Sequence, residues 1–197
     1  MTGEPILWLD DLEPGELKAV AGSKIARLTE LGRVGFTVPR GFAVMTSAYR
    51  SFCAASGLDK LIAGEEGELD ESALDHVAAV SEQLRAAIEA EPMPAALVAG
   101  IVDAYEELAY RCRQLRLPVA VRSSATGEDA AEASCAGQFE SYLGVSGGDA
   151  VAAAVKRCWA SLFSPRAILY RLAHGFSHEA FPMAVGVMEL IDARSSG

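Results

Sequence analysis

Arg122 stands at the end of a short apolar run, Val119-Ala-Val121, and is followed by Ser123, Ser124, Thr126 and Gly127. A guanidinium presents a planar fork of donors that matches phosphate oxygens, and a β-segment holds that fork rigidly. Ser123, Ser124 and Thr126 add short hydroxyl donors, while Gly127 and Gly137 leave room for backbone amides to approach a ligand closely. What these residue types can do together is bind an oligophosphate. Lys24 offers a second cation, just after Ala21-Gly-Ser23 and at the start of a helix on which Ile25, Leu28 and Leu31 share a face. A cation in a first helical turn is disfavoured by the macrodipole unless an anion joins it, and the free N–H groups there suit that anion. The segment is not a Walker loop, because the upstream glycine and the Ser or Thr after the lysine are missing.

The elements that must position these groups follow from periodicity and turn residues. Ile6–Leu9 reads as an opening strand, and Gly32 and Gly35 end the helix of Lys24. Val38-Pro-Arg-Gly-Phe-Ala-Val44 is a proline turn feeding a buried strand, and Thr46 caps a core helix with Tyr49, Phe52 and Cys53, closed by Gly57. Gly64–Glu71 reads as a solvated acidic loop. Two helices follow, one striped by Leu74, Val77, Ser81, Leu84 and Ile88, the next by Leu97, Ile101, Tyr105, Leu108 and Cys112. Glu91-Pro-Met-Pro94 breaks them into a helical hairpin. Gln138–Val145 alternates as a strand with Phe139, Ser141, Leu143 and Val145 on one face, so that Ser141 stands among apolar neighbours. Gly147-Gly-Asp149 opens a helix with Val151, Val155, Trp159 and Leu162 inward, and Ser164-Pro165 caps and opens another. Met183–Asp192 is a buried strand interrupted by Glu189. His174 and His178, four apart without a third ligand nearby, read as surface or capping residues rather than a metal pair.

Residues 119–129, V-A-V-R-S-S-A-T-G-E-D, and 134–138, S-C-A-G-Q, resemble the nucleotide-binding part of the phosphoenolpyruvate synthase and pyruvate phosphate dikinase family, which includes rifampin phosphotransferases. Ala21-Gly-Ser-Lys24 is similar to that family's G-G-K-x-x-N-L segment, with Ala21 or Ser23 at the first glycine and Arg27 at the asparagine. Val38–Phe42 is similar to its V-P-x-G-F segment. The resemblance implies an α/β (α+β) fold: the N-terminal portion of an ATP-grasp domain over residues 1–197, with a mixed sheet, flanking helices and the hairpin. It implies a phosphotransferase that passes a phosphoryl group from ATP through a carrier histidine to pyruvate or another acceptor. By the same resemblance Lys24 and Arg122 are catalytic and hold the phosphates, with Ser123, Thr126, Gly137 and Ser141 beside them. Glu189, with backbone from Leu190 and Ile191, meets the adenine edge, although the family often has glutamine where Met188 stands. The family's second lobe, with its Mg²⁺ carboxylates, its carrier-histidine domain and its acceptor domain are expected outside this chain, as remaining domains or a partner subunit. ATP binding by the 197 residues alone is then expected to be weak or absent. A stand-alone nucleotide-sensing or partner-binding module, and an ATP-grasp ligase forming an acyl phosphate, are the alternative readings.

Composition narrows the partners. The chain has 197 residues, 51% hydrophobic, and a net charge of −10. That is enough for one sizeable core, and with no basic stripe it argues against nucleic acid or an anionic membrane as partner. No apolar run approaches the ~20 residues of a membrane span, and the N-terminus lacks a signal-peptide pattern. Cys53, Cys112, Cys135 and Cys158 are scattered without a C-x-x-C pair, which points to reduced thiols and a cytoplasmic setting. Cys135 is expected to fill space rather than react.

Overall fold

A computed structural model describes residues 4–12, 17–66, 69, 73–126 and 139–192. Among these residues five strands form one sheet in the order β1-β2-β5-β3-β4, with β1 Ile6–Trp8, β2 Gly41–Val44, β3 Val119–Ala125, β4 Ser141–Val145 and β5 Met183–Glu189. The α+β expectation holds, but every pairing is antiparallel where a mixed sheet was expected. The nearly all-apolar β5 and β3, which opens with Val119-Ala-Val121 before its polar residues, lie inside the sheet and pair over seven residues. Such runs need cover on both faces.

One face is covered thickly. Helices α2 (Thr46–Ser56), α3 (Leu58–Glu66), α4 (Leu74–Ala90), α5 (Ala95–Arg111), α6 (Gly148–Ala160) and α7 (Pro165–Ala173) gather there around Trp159, Phe52, Leu84, Ile101 and Phe163, all essentially inaccessible to solvent. The expected stripes are found, with Val77, Ser81, Leu84 and Ile88 buried on α4 and Leu97, Ile101, Tyr105 and Leu108 on α5. Leu74 departs from its stripe, for it sits in the first turn and is exposed. Both helices lean on α6. Ser164 caps α7 by accepting the Ala167 N–H at 3.3 Å, with Pro165 next to it, as expected. Thr46 is the first residue of α2 rather than its cap, and Met45 precedes it in extended conformation. The stretch read as an acidic loop begins as helix, since α3 runs through Gly64 and Glu65.

Among the described residues the other face is covered by one helix, α1 (Leu17–Arg33), over a smaller cluster that includes Leu17, Ala21, Ile25, Ala43 and Met188. α1 is broken at Gly22, whose φ of 75° and ψ of 169° are far from helical. Glycine is required there twice over: its φ is positive, and a Cβ would run into the Ser124 carbonyl of β3. The helix restarts at once, so Lys24 does lie at a helical beginning, although a turn of helix precedes it.

Candidate functional site

The restart of α1 is tied to β3 in two places. The Ile25 N–H donates to the Ser124 hydroxyl at 3.3 Å, which caps the restarted helix, and the Lys24 ammonium donates to the Ser123 carbonyl at 3.2 Å. An orphan donor at a helix start is satisfied by a strand residue 99 positions away, so the lysine's position is set by tertiary contact. Alternation along β3 then sorts the neighbouring side chains. Val119, Val121 and Ala125 enter the large core, whereas Arg122 is the one exposed residue in an otherwise buried strand. Arg122 stands opposite Gly186 on β5 and opposite Ser141 on β4. A glycine on one side and a serine on the other leave the guanidinium open to ligand.

Lys24, Arg122 and Ser141 line one open hollow of about 490 Å³ on the α1 face. Its floor is Ala120, Gly186 and Met188, and Leu28, Leu143, Leu190 and Ile191 make an apolar side. Leu143 and Ile191 are more than half exposed, an unusual state for such side chains beside two cations. The hollow therefore has a cationic end and a greasy end. A charged chain attached to a flat apolar ring fits that division.

Ser141 reaches this face because it stands opposite Arg122 in the ladder, and a bulge beyond it turns Val145 to the other face. Val121 pairs with Tyr142 and Arg122 with Ser141, but Val119 pairs with Val145, so the register shifts by a residue where Gly144 adopts φ 71°. Phe139, Tyr142 and Val145 consequently pack on the core, while Ser141 and Leu143 face the hollow. The single alternating face expected for residues 139–145 is corrected accordingly. Ser141 is exposed rather than buried among apolar groups.

Other expected site residues are placed differently. Ser123 borders the hollow through its backbone, and its hydroxyl is fully buried without a hydrogen-bond partner. By strand alternation that hydroxyl lies on the core side, beside Val185. Thr126 follows β3, its N–H bonded to the Pro182 carbonyl at 3.3 Å, and it does not line the hollow. Gly127, Gly137 and Cys135 lie outside the described residues. Glu189 is at the rim, but its carboxylate accepts the Arg40 N–H at 2.8 Å and the Cys112 thiol at 3.3 Å. Ser124, which caps the Lys24 helix, is the residue that sequence reasoning undervalued. It stood among the hydroxyl donors, with no sign that its partner would be Ile25.

The histidines are not where a surface pair would be. His174 ends α7 with its ring nitrogen against the Tyr170 carbonyl at 2.8 Å, a capping role as expected. His178 is buried, its Nε2 2.7 Å from the Tyr49 hydroxyl and its ring against Phe163, which corrects the surface reading. Burial, and secondarily the Arg171 guanidinium, push its pKa down to about 3. His178 borders a second hollow of about 720 Å³ on the thickly covered face. Arg50 and Arg171 line that hollow, but so do Asp59 and Glu179, and none of the expected site residues reaches it. Its charges are balanced, so it lacks the cationic end that an oligophosphate requires.

Residues 18–197 match the family described as pyruvate phosphate dikinase, AMP/ATP-binding domain. The chain belongs to that family. Among its curated relatives, a probable phosphoenolpyruvate synthase of Methanocaldococcus jannaschii is 40% identical over 98% of this chain and 16% of its own length. Another from Staphylothermus marinus is 43% identical over 98% of this chain and 23% of its own. The phosphoenolpyruvate synthase of Aeropyrum pernix is 39% identical over the same shares, 98% and 23%. The chain thus spans about a quarter or less of the relatives it matches. As a dikinase-type AMP/ATP-binding domain it is ATP-binding, of a transferase and kinase family, and the hollow beside Lys24 and Arg122 is its candidate nucleotide site. Among the described residues no helix is long and apolar enough to cross a membrane.

Proposed function

We propose that this chain is the N-terminal nucleotide-binding portion of a phosphotransferase of the phosphoenolpyruvate synthase or dikinase type. In the complete protein a phosphoryl group of ATP passes through a carrier histidine to pyruvate or another small acceptor. Lys24 and Arg122 hold the oligophosphate, with Ser141 and the Gly137 segment beside it. The strand exit at Glu189, Leu190 and Ile191 meets the base. Phosphoryl transfer depends on positioning and on neutralising charge that develops on the transferred group, and two cations set by a helix start and a strand are suited to both. The observation that carries this reading is the shared hollow of Lys24 and Arg122, open at one end to Leu143, Leu190 and Ile191.

Mg²⁺ is implied by the chemistry of such enzymes, where it would supply neutralisation of phosphate charge. The described lining of the hollow does not fit it: Glu189 is the one acidic residue there, and its carboxylate is turned to Arg40 and Cys112. The metal's protein ligands are assigned outside these residues. The test is steady-state kinetics of the full-length protein with ATP and pyruvate. Coupled formation of phosphoenolpyruvate supports the reading. Tight ATP binding without phosphoryl transfer to any tested acceptor would favour a nucleotide-sensing module instead.

A further inference from the structure

Glu189 occupies a crossing of three chain segments. Its N–H donates to the Arg40 carbonyl at 2.9 Å, and its carboxylate takes back the Arg40 N–H at 2.8 Å. The other carboxylate oxygen accepts the Cys112 thiol at 3.3 Å, at the C-terminal end of α5. One residue further on, the Leu190 N–H donates to the Pro118 carbonyl at 3.0 Å, just before β3. Arg40 is itself tied down, its guanidinium donating to the Arg111 carbonyl at 2.8 Å. Glu189 also pairs across the ladder with Val119, whose side chain is in the large core, while Met188, its neighbour, lines the hollow with Arg122. By strand alternation the carboxylate leaves β5 on the face opposite the phosphate cations.

We infer that Glu189 is a positioning residue: its carboxylate fastens the exit of β5 to Arg40 and to Cys112 and does not read the base, whose polar edge is left to the backbone of the strand exit. This rests on the reading of the hollow as a nucleotide site, and it names what reads the base there and which residue outside the hollow, Cys112, tunes it. Both oxygens of the carboxylate are used within the fold, and releasing either would exchange a bond inside the fold for one to water. Burial and the Glu189 carboxylate raise the Cys112 pKa, which keeps the thiol in its donating form at neutral pH. The consequence for specificity is concrete. A carboxylate facing the base would accept from the exocyclic amino group of adenine and repel the carbonyl that replaces it in hypoxanthine. A carboxylate facing Arg40 and Cys112 would serve both bases alike.

The experiment measures binding of ATP and of ITP to the full-length wild type and to Glu189→Ala, Cys112→Ala and Cys112→Ser. The wild type must bind ATP, and failure to do so removes the nucleotide-site reading and this inference with it. Given that binding, Glu189→Ala is expected to weaken both nucleotides about tenfold, with their ratio unchanged. Cys112→Ala, which touches no nucleotide, weakens both about threefold, and Cys112→Ser, which keeps a donor, restores wild-type values. Hydrogen exchange at the Arg40 amide speeds up in Glu189→Ala without nucleotide present. Selective loss of ATP relative to ITP in Glu189→Ala overturns the inference, as does wild-type binding in both alanine variants. Should Glu189→Ala fail to fold, the two Cys112 variants still decide, since a base-reading Glu189 leaves Cys112→Ala without effect.

Discussion

The Lys24 ammonium donates to the backbone carbonyl of Ser123, 3.2 Å away across 99 residues of sequence. Next in the strand, Arg122 opens into the same hollow. Both cations therefore border one cavity from two different elements, a helix start and a strand. Substituting Lys24→Ala or Arg122→Ala in the full-length protein is expected to lower phosphoryl transfer by ~10²-fold or more, because each removes charge stabilisation from the transition state. The thermal midpoint should hardly move for the exposed Arg122. Stopped assays of phosphoryl transfer, paired with melting curves, check both statements.

The kink at Gly22 and the hydroxyl of Ser124 set where Lys24 begins its helix. Gly22→Ala forces a side chain into a positive φ and against the Ser124 carbonyl, and should cost ~2 kcal/mol or more in a denaturant titration. Ser124→Ala removes the hydroxyl that caps Ile25, an expected loss of ~1 kcal/mol. It should also weaken ATP binding with Lys24 itself untouched. Unchanged stability in both variants would show that α1 is not anchored to β3 in this way.

His178 makes the fold sensitive to acid. Its pKa falls to about 3 in the folded chain, chiefly through burial, whereas a histidine in the unfolded chain titrates near 6.5. Between those values the unfolded state takes up a proton that the folded state refuses. Stability is therefore full above pH 6.5 and is lost on the way down to 3, by about 1.4 kcal/mol per pH unit. Melting temperatures measured from pH 7 to pH 5 should fall more steeply for the wild type than for His178→Gln. The variant should be the less stable at pH 7, since it leaves the Tyr49 hydroxyl without that partner ring.

Burial also silences two thiols. The Cys53 pKa is pushed up to about 11 and the Cys158 pKa to about 12, in both cases first by desolvation. With Ellman's reagent at neutral pH, neither should react until denaturant is added. Site-resolved mass spectrometry separates them from Cys112 and Cys135. Fast labelling of Cys158 in the native chain would contradict the packing of α6.

The sequence revealed most where a run of side chains had one physical demand. The apolar run of β5 needed two covered faces and lies inside the sheet, and the 3-4 stripes of α4 and α5 did become their buried faces. Arg122 was legible as a strand-borne cation from the apolar Val119-Ala-Val121 before it, although the strand runs on past it to Ala125. What escaped were features decided by distant partners. The register shift at Gly144, which turns Leu143 out and Val145 in, depends on how β4 meets β3. The same holds for Ser123 and Ser124, adjacent hydroxyls with opposite fates: one buried beside Val185, the other capping a helix. The family resemblance set Glu189 at the adenine edge. Its contacts with Arg40 and Cys112 join residues 149 and 77 positions away, and no local pattern announces them.

Determining the structure of the full-length protein with a non-hydrolysable ATP analogue tests the central claim most directly. The account predicts phosphate oxygens about 3 Å from both the Lys24 ammonium and the Arg122 guanidinium, with the base against Leu143, Leu190 and Ile191. Phosphates found away from either cation, or a nucleotide seated in the hollow bordered by Tyr49 and His178, would contradict it.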